Sequence, residues 1–297
     1  MMRSWAGKTA LRVTTLVLLL PLTPLLQAAT WSLTYPRPLD EQDMRNEYPV
    51  ALLQLALEKT GVSYSLSPSD RILLQGKALR QLRENREVNV VWSMTDVQRE
   101  KDLLAIRIPI AKGLIGLRLP VINRRHASKI AAVNDAAGLR QLTAIQGEEW
   151  PDTKILQANG FNVLTVREYN DGYHALAQNR GDFFPRSVIE VTSELAEKGR
   201  DEDLILNDRL ALYYPSAMYF FVNRGNPTLA RLIETGLKRA IKDGSFDVLF
   251  NASYAPLLKE LNIDERTVFV FENPLLPPNT PLGNDALWYR TEGFEEE

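Results

Sequence analysis

Three stretches of the chain place polar and aromatic side chains directly after apolar runs, where they could meet a ligand. The first is VNVVWSMTDVQRE, residues 88–100, in which Trp92 and Ser93 are followed by Thr95, Arg99 and Glu100. A flat ring, a hydroxyl and a guanidinium together suit a carboxylate, because the planar guanidinium can give it two parallel hydrogen bonds. The competing account is a buried Trp and a surface Arg paired with Glu100 or Asp102. The second stretch is QGEEW, residues 146–150. Gly147 between a strand and a helix lets backbone amides point at an anion. Glu148 and Glu149 either satisfy the helix dipole or, facing a cleft, suit an ammonium. The third is DFFPRS, residues 182–187, where Pro185 stiffens the turn and Arg186 precedes an expected helix start. A positive charge there opposes the helix dipole, which points to a ligand or interlobe contact rather than to helix stability. A salt bridge from Arg186 to Asp182 or Glu190 is the alternative. Phe184 and Tyr213 join Trp92 as candidate apolar walls, and Tyr35 in TYPRP is a further candidate.

Other chemistries find little support. His126 and His174 are the only histidines and there is no Cys, so no metal site is expected. No Gly-rich phosphate loop or Gly-x-Ser-x-Gly elbow occurs, and neither a catalytic residue nor a cofactor is assigned. Glu148 and Asp182 could in principle do acid–base work, but carboxylates near clefts are too common to imply it.

The elements that must hold these residues alternate. Residues 31–36 read as a strand, 48–61 as an amphipathic helix ending at Gly61, and 62–66 as a strand; 74–85 is helical and 88–92 a buried strand. That rhythm predicts a parallel-rich sheet flanked by helices. The middle repeats it, with strands at 142–146, 162–166 and 182–184 and helices from Pro151 and from about Asn170. Ser187 with Glu190 is a capping-box pattern that predicts a helix start at that point. Two similar segments, PVINR (120–124) and FFVNR (220–224), read as crossings between two lobes. In doubly wound sheets ligands sit beyond the carboxyl ends of strands, where all three polar stretches fall.

The first 29 residues combine Arg3, Lys8 and Arg12, an apolar run broken by Pro21 and Pro24, and the small residues Ala28 and Ala29. This order reads as a cleavable signal peptide rather than a membrane anchor. Its removal would take the formal net charge from −2 to −5, which argues against nucleic-acid or anionic-membrane surfaces. An exported chain without Cys suits a periplasm.

The order of VVWSMT…RE, RIPI, VINR, IQGEEW, GDFFPRS, YFFVNR and LKRAIKDGSFDVLF resembles the periplasmic solute-binding proteins of the amino-acid type (family 3, type II periplasmic binding fold) over most of residues 30–260. It is also similar to a proteobacterial subgroup of unclear ligand that carries DFFPR and ENPLLPP. The resemblance implies two α/β lobes, each a mixed sheet flanked by helices, joined by a two-strand hinge and closing over a small ligand. Two positions depart from the family pattern. Arg99 stands one residue earlier than the carboxylate-binding Arg, and Arg186 and Ser187 lie near the place of the acid that takes an ammonium.

The expectation is therefore a monomeric periplasmic protein, residues 30–121 and 223–297 forming lobe 1 and 122–222 lobe 2. It would capture a small polar, carboxylate-bearing solute between Arg99 and Arg186 and present it to an ABC permease or a sensor. The proline-rich arm 264–297 is expected to strap along lobe 1. An enzyme on the same scaffold, dehydratase-like with Glu148 as its acid, and a protein-interaction scaffold with a degenerate cleft remain as alternatives.

Overall fold

The chain first builds β1 (Trp31–Arg37), α1 (Glu47–Thr60), β2 (Tyr64–Ile72), α2 (Gln75–Arg83), β3 (Val91–Met94), α3 (Val97–Asp102) and β4 (Leu104–Ile106). It continues with β5 (Leu117–Asn123), α4 (Ala127–Ala131), α5 (Ala136–Arg140), β6 (Thr143–Gly147), α6 (Pro151–Ala158), β7 (Asn162–Val166), α7 (Tyr169–Ala177), β8 (Phe184–Ser187), α8 (Val191–Lys198), β9 (Leu204–Leu206) and β10 (Leu210–Tyr213). β11 (Met218–Val222), α9 (Pro227–Lys242), α10 (Ser245–Glu260) and β12 (Thr267–Val270) follow. The computed structural model describes residue 1 and residues 30–38, 44–167, 169–198 and 203–290. The expected signal peptide, apart from Met1, lies outside the described residues. No helix among the described residues is long and apolar enough to cross a membrane.

Two sheet systems result. In the first, β1 pairs in parallel with β2, and β11 runs antiparallel between β3 and β4. The backbone amides of Asn89 and Val90 donate to the Thr34 carbonyl, tying the β1–β2 pair to the three-stranded sheet. α1 covers this layer because Tyr48, Leu52, Leu53, Ala56 and Leu57 recur at helical spacing and are all buried. They pack on α9, whose first turn is set by Pro227 and by Asn226, which accepts from the Leu229 amide. In the second system the order is β12-β10-β5-β8, with β9 also on β5, and β6 and β7 joined in parallel beside it. All seven residues of β5 are buried, as expected of a central strand covered on both faces.

The segments expected to cross between lobes lie inside these sheets instead. Pro120 and Val121 pair with β8, and Val121 to Asn123 with β9; Phe220 to Val222 pair with β4. The chain passes from one system to the other earlier, through 107–116 and 214–217. There the two connections run side by side, and the Tyr214 amide donates to the Gly116 carbonyl at 3.3 Å. A Cβ on Gly116 would stand 2.1 Å from the Tyr214 carbonyl oxygen, so only glycine fits.

The C-terminal arm also departs from its expected course. β12 adds to the open edge of β10 in the second sheet, and Phe271 packs edge-on against Phe161 at 5.1 Å. Asn273 then donates to the Pro215 carbonyl at 2.8 Å, on the connection between the layers. The Trp288 ring lies over Gly113, and the Tyr289 amide donates to Lys112 at 2.8 Å. The arm thus touches both layers and the connection between them.

Candidate functional site

A cavity of about 890 Å³ opens between the two systems. The first system gives it a largely apolar and aromatic wall that includes Trp92, Met94, Tyr48, Tyr254 and Met218. The opposite wall is charged, with Arg118 from β5, Arg186 from β8, Asp152 from the start of α6 and Glu190 from the turn before α8. Arg118 and Arg186 are each only 2% exposed. Their backbones are near neighbours because β5 and β8 pair with Arg118 opposite Ser187 and Leu119 opposite Arg186.

These guanidiniums are held by carboxylates of the chain itself. Arg186 donates through Nε and Nη2 to the two oxygens of Glu194, both at 2.7 Å, and through Nη2 to Glu190 at 3.2 Å. It also lies over the rings of Trp150, Phe184 and Tyr169, at 4.7, 5.0 and 5.7 Å from their centroids. Arg118 pairs with Asp152 at 2.7 Å and with Glu190 at 3.5 Å, while its buried Nε has no hydrogen-bond partner. The Tyr173 hydroxyl donates to Glu194 at 2.7 Å, and the Tyr214 hydroxyl donates to Asp152. Arg45 reaches across from the first system to stand over Tyr169 at 4.6 Å and 3.9 Å from Glu194.

Burial alone would lower the pKa of Arg186 and raise that of Glu194, since it penalises either charge. Burial is the largest single influence on each, but their mutual attraction, joined by Glu190 for Arg186 and by Arg45 and the Tyr173 hydroxyl for Glu194, outweighs it, so Arg186 is raised well above its ordinary value and Glu194 is held below its own. For Arg118, burial is likewise outweighed by Asp152, Tyr214 and Glu190, and its pKa is raised. Burial pushes Tyr169, Tyr173 and Tyr214 upward, so all three stay protonated hydrogen-bond donors at neutral pH. On this wall Arg45, Arg118 and Arg186 thus face Asp152, Glu190 and Glu194.

The structure brings some of the candidates from the sequence to this cavity and places others elsewhere. Trp92, Ser93, Glu149 and Arg186 line it. Arg99 does not; Asp96 caps α3 by accepting the Arg99 amide, and the guanidinium folds back on its own strand. Its Nη1 donates to Ser93 and to the Met94 carbonyl, both at 2.7 Å, and its Nη2 to Gln75 at 3.1 Å. Thr95 is buried and donates to Glu100 at 2.9 Å. Glu148 is exposed, its amide donating to the Val166 carbonyl. Gly147 sits beneath Trp150, with room for no side chain because a Cβ would be 2.4 Å from the ring. Phe184 is buried behind the cavity, stacked on Trp150 at 6.2 Å and 7°. Tyr35 leans on Trp92 at 5.8 Å, and Tyr213 lies in β10 outside the lining.

Ser187 does not cap a helix. It ends β8 and donates to the Leu114 carbonyl at 3.1 Å, and α8 starts only at Val191. Arg186 is therefore a strand residue, and Glu194 one turn into α8 explains its charge. Arg118, Asp152 and Glu194 were missed from the sequence. Arg118 did leave a trace, a single charge inside the apolar run LIGLRLPVI.

No family model matches the chain, and no curated protein matches it. Among solved structures, the Bordetella pertussis BvgS VFT2 domain is similar at 17% identity and a TM-score of 0.56, over 75% of this chain and 93% of that one. A histidine kinase sensor domain with similarity to periplasmic binding proteins matches at 14% identity and a TM-score of 0.54, over 76% and 95%. A Salmonella typhimurium periplasmic binding protein of high arginine specificity matches at 15% identity and a TM-score of 0.52, over 78% and 99%. The fold is that of two-lobed periplasmic binding proteins, each lobe a sheet flanked by helices.

Proposed function

We propose that the protein is a binding protein that captures a small polar, carboxylate-bearing solute between its lobes. The observation that carries this reading is the pair of buried guanidiniums, Arg118 and Arg186, on one wall of a cavity of about 890 Å³. A buried Arg fork is suited to a carboxylate, and the opposite aromatic wall of Trp92, Tyr48 and Tyr254 suits an apolar remainder. The volume is that of a site for a small organic molecule. Lobe 1 would comprise 30–116 and 214–263, and lobe 2 residues 117–213 with β12. Closure would follow from flexing 107–116 and 214–217, with Arg80 to Glu149 at 3.1 Å as one contact across the mouth.

Export to a periplasm and delivery to an ABC permease or a sensor complete the proposal. They are supported by the leader sequence and by the two kinds of protein that share the fold. A degenerate cleft is the second reading, favoured by the internal pairing of the charged wall, while the open volume counts against it. The enzymatic reading assigned its acid to Glu148, whose side chain is exposed and outside the cavity.

A thermal-shift screen of small carboxylates, amino acids and neutral solutes tests the proposal. A ligand at a hundredfold excess over its Kd should stabilise the folded state by about 2.7 kcal/mol, and small-angle scattering should show compaction. No stabiliser across the screen, with no change in scattering, would refute it and favour the degenerate cleft.

A further inference from the structure

Glu190 stands apart from the two other carboxylates of the charged wall. Asp152 and Glu194 are 4% and 2% exposed and each holds its Arg at 2.7 Å. The Glu190 side chain is 21% exposed, and one of its oxygens bridges both guanidiniums at longer range, 3.5 Å to Arg118 and 3.2 Å to Arg186. It is carried by the turn between β8 and α8, not by a helix or strand, and it lines the cavity. Beside it, Arg118 keeps a buried Nε donor without a partner, a group that costs free energy until something accepts from it. An anion entering beside Glu190 would set a further negative charge against the same two guanidiniums, Arg118 and Arg186, in a poorly solvated place, which is unfavourable. An anion that replaced Glu190 would leave the balance unchanged.

We infer that the Glu190 carboxylate occupies the place of a solute carboxylate, and that an anionic solute binds by exchange, displacing Glu190 from between Arg118 and Arg186. The inference rests on the proposed binding function and names Glu190 as its specificity-determining residue. Asp152 and Glu194 are the fixed counter-ions that keep the two guanidiniums in place, and Glu190 is the exchangeable one. A solute whose anionic group cannot span both guanidiniums would fail to displace it. The exchange therefore selects for a carboxylate or a similarly small oxyanion.

Chemical rescue tests this without knowledge of the natural solute. Removing the side chain in Glu190→Ala takes the shared carboxylate from between Arg118 and Arg186, and acetate should fill the vacancy. At matched ionic strength, sodium acetate in place of sodium chloride should raise the Tm of Glu190→Ala by about 3 °C or more and that of the wild type, where Glu190 must first be displaced, by clearly less. The isosteric Glu190→Gln keeps the shape, and it should bind any carboxylate found in the solute screen about tenfold or more tightly than the wild type does. Equal acetate effects on wild type and Glu190→Ala, or no effect on either, would overturn the inference. Weaker carboxylate binding by Glu190→Gln would overturn it too, because it would make Glu190 a direct ligand contact. Rescue by acetate combined with an empty screen would retain the exchangeable position and remove the proposed function instead.

Discussion

Replacing Arg186 with Met removes a guanidinium from the middle of the charged wall and keeps most of its volume. Glu194, itself 2% exposed, then loses both 2.7 Å hydrogen bonds and keeps, among the described residues, the Tyr173 hydroxyl and Arg45 at 3.9 Å. Stranding one member of a buried ion pair costs about 3–5 kcal/mol. The lost contacts with the Trp150, Phe184 and Tyr169 rings act on the same group, so we take about 4 kcal/mol as the whole effect. For a chain of this size that is a fall in Tm of about 8–16 °C.

The pH dependence has a definite sign. In the wild type the Glu194 pKa is depressed in the folded state. Its contribution is therefore present above the unfolded carboxylate pKa and is lost only as pH falls through the depressed folded value. Without Arg186 the same burial raises the Glu194 pKa, so the penalty is full at neutral pH and is relieved as the group takes up a proton. The gap between wild type and variant should narrow as pH is lowered from 7 towards the ordinary carboxylate range. Urea unfolding at several pH values measures it. The double variant Arg186→Met with Glu194→Leu should recover most of the loss, since an apolar pair of similar volume can replace a buried ion pair at little cost. A loss below about 1 kcal/mol for the single variant, or no recovery in the double, would refute this account of the wall.

Two further outcomes follow from the same geometry. Arg99→Ala should destabilise the protein by about 1–3 kcal/mol in urea unfolding through its bonds to Ser93, Met94 and Gln75, and change solute affinity less than about threefold; a loss beyond tenfold would place Arg99 in the site. Asp243, hydrogen-bonded by Lys59 and by Ser245, should titrate at about 2 rather than 3.8. Its contribution is present above 3.8 and lost as pH falls through about 2, and an NMR titration that stays near 3.8 would contradict the pairing.

The alternation of strands and helices was legible because apolar spacing is a local property, and α1, α6 and β7 fall within a few residues of their expected places. The positions of the crossings were not. Two segments alike in sequence, ending in Asn123-Arg124 and Asn223-Arg224, joined different sheets because strand partners lie far away in the chain. At the site, Arg186 was found from its odd placement, although the reason was a carboxylate eight residues on rather than a helix dipole. Arg99 looked equivalent by type and spacing, yet the turn capped by Asp96 points it back at Ser93. Side-chain direction of that kind depends on which way a short helix leaves a strand, and composition does not record it.

The arm that carries Trp288 and Tyr289 bears on the order in which the molecule can be put together. The first sheet system waits for β11, α9 and α10, and the second waits for β12, so neither layer is complete in any uninterrupted stretch of chain. Until Thr267 to Val270 arrive, β10 presents unpaired backbone groups along one side, the kind of exposed strand edge that invites pairing between molecules. A nascent or truncated chain lacking its final segment would therefore be more prone to self-association than the finished protein. In the finished fold Thr267 to Val270 cover that edge, and Trp288 is seated over Gly113 on the connection between the lobes.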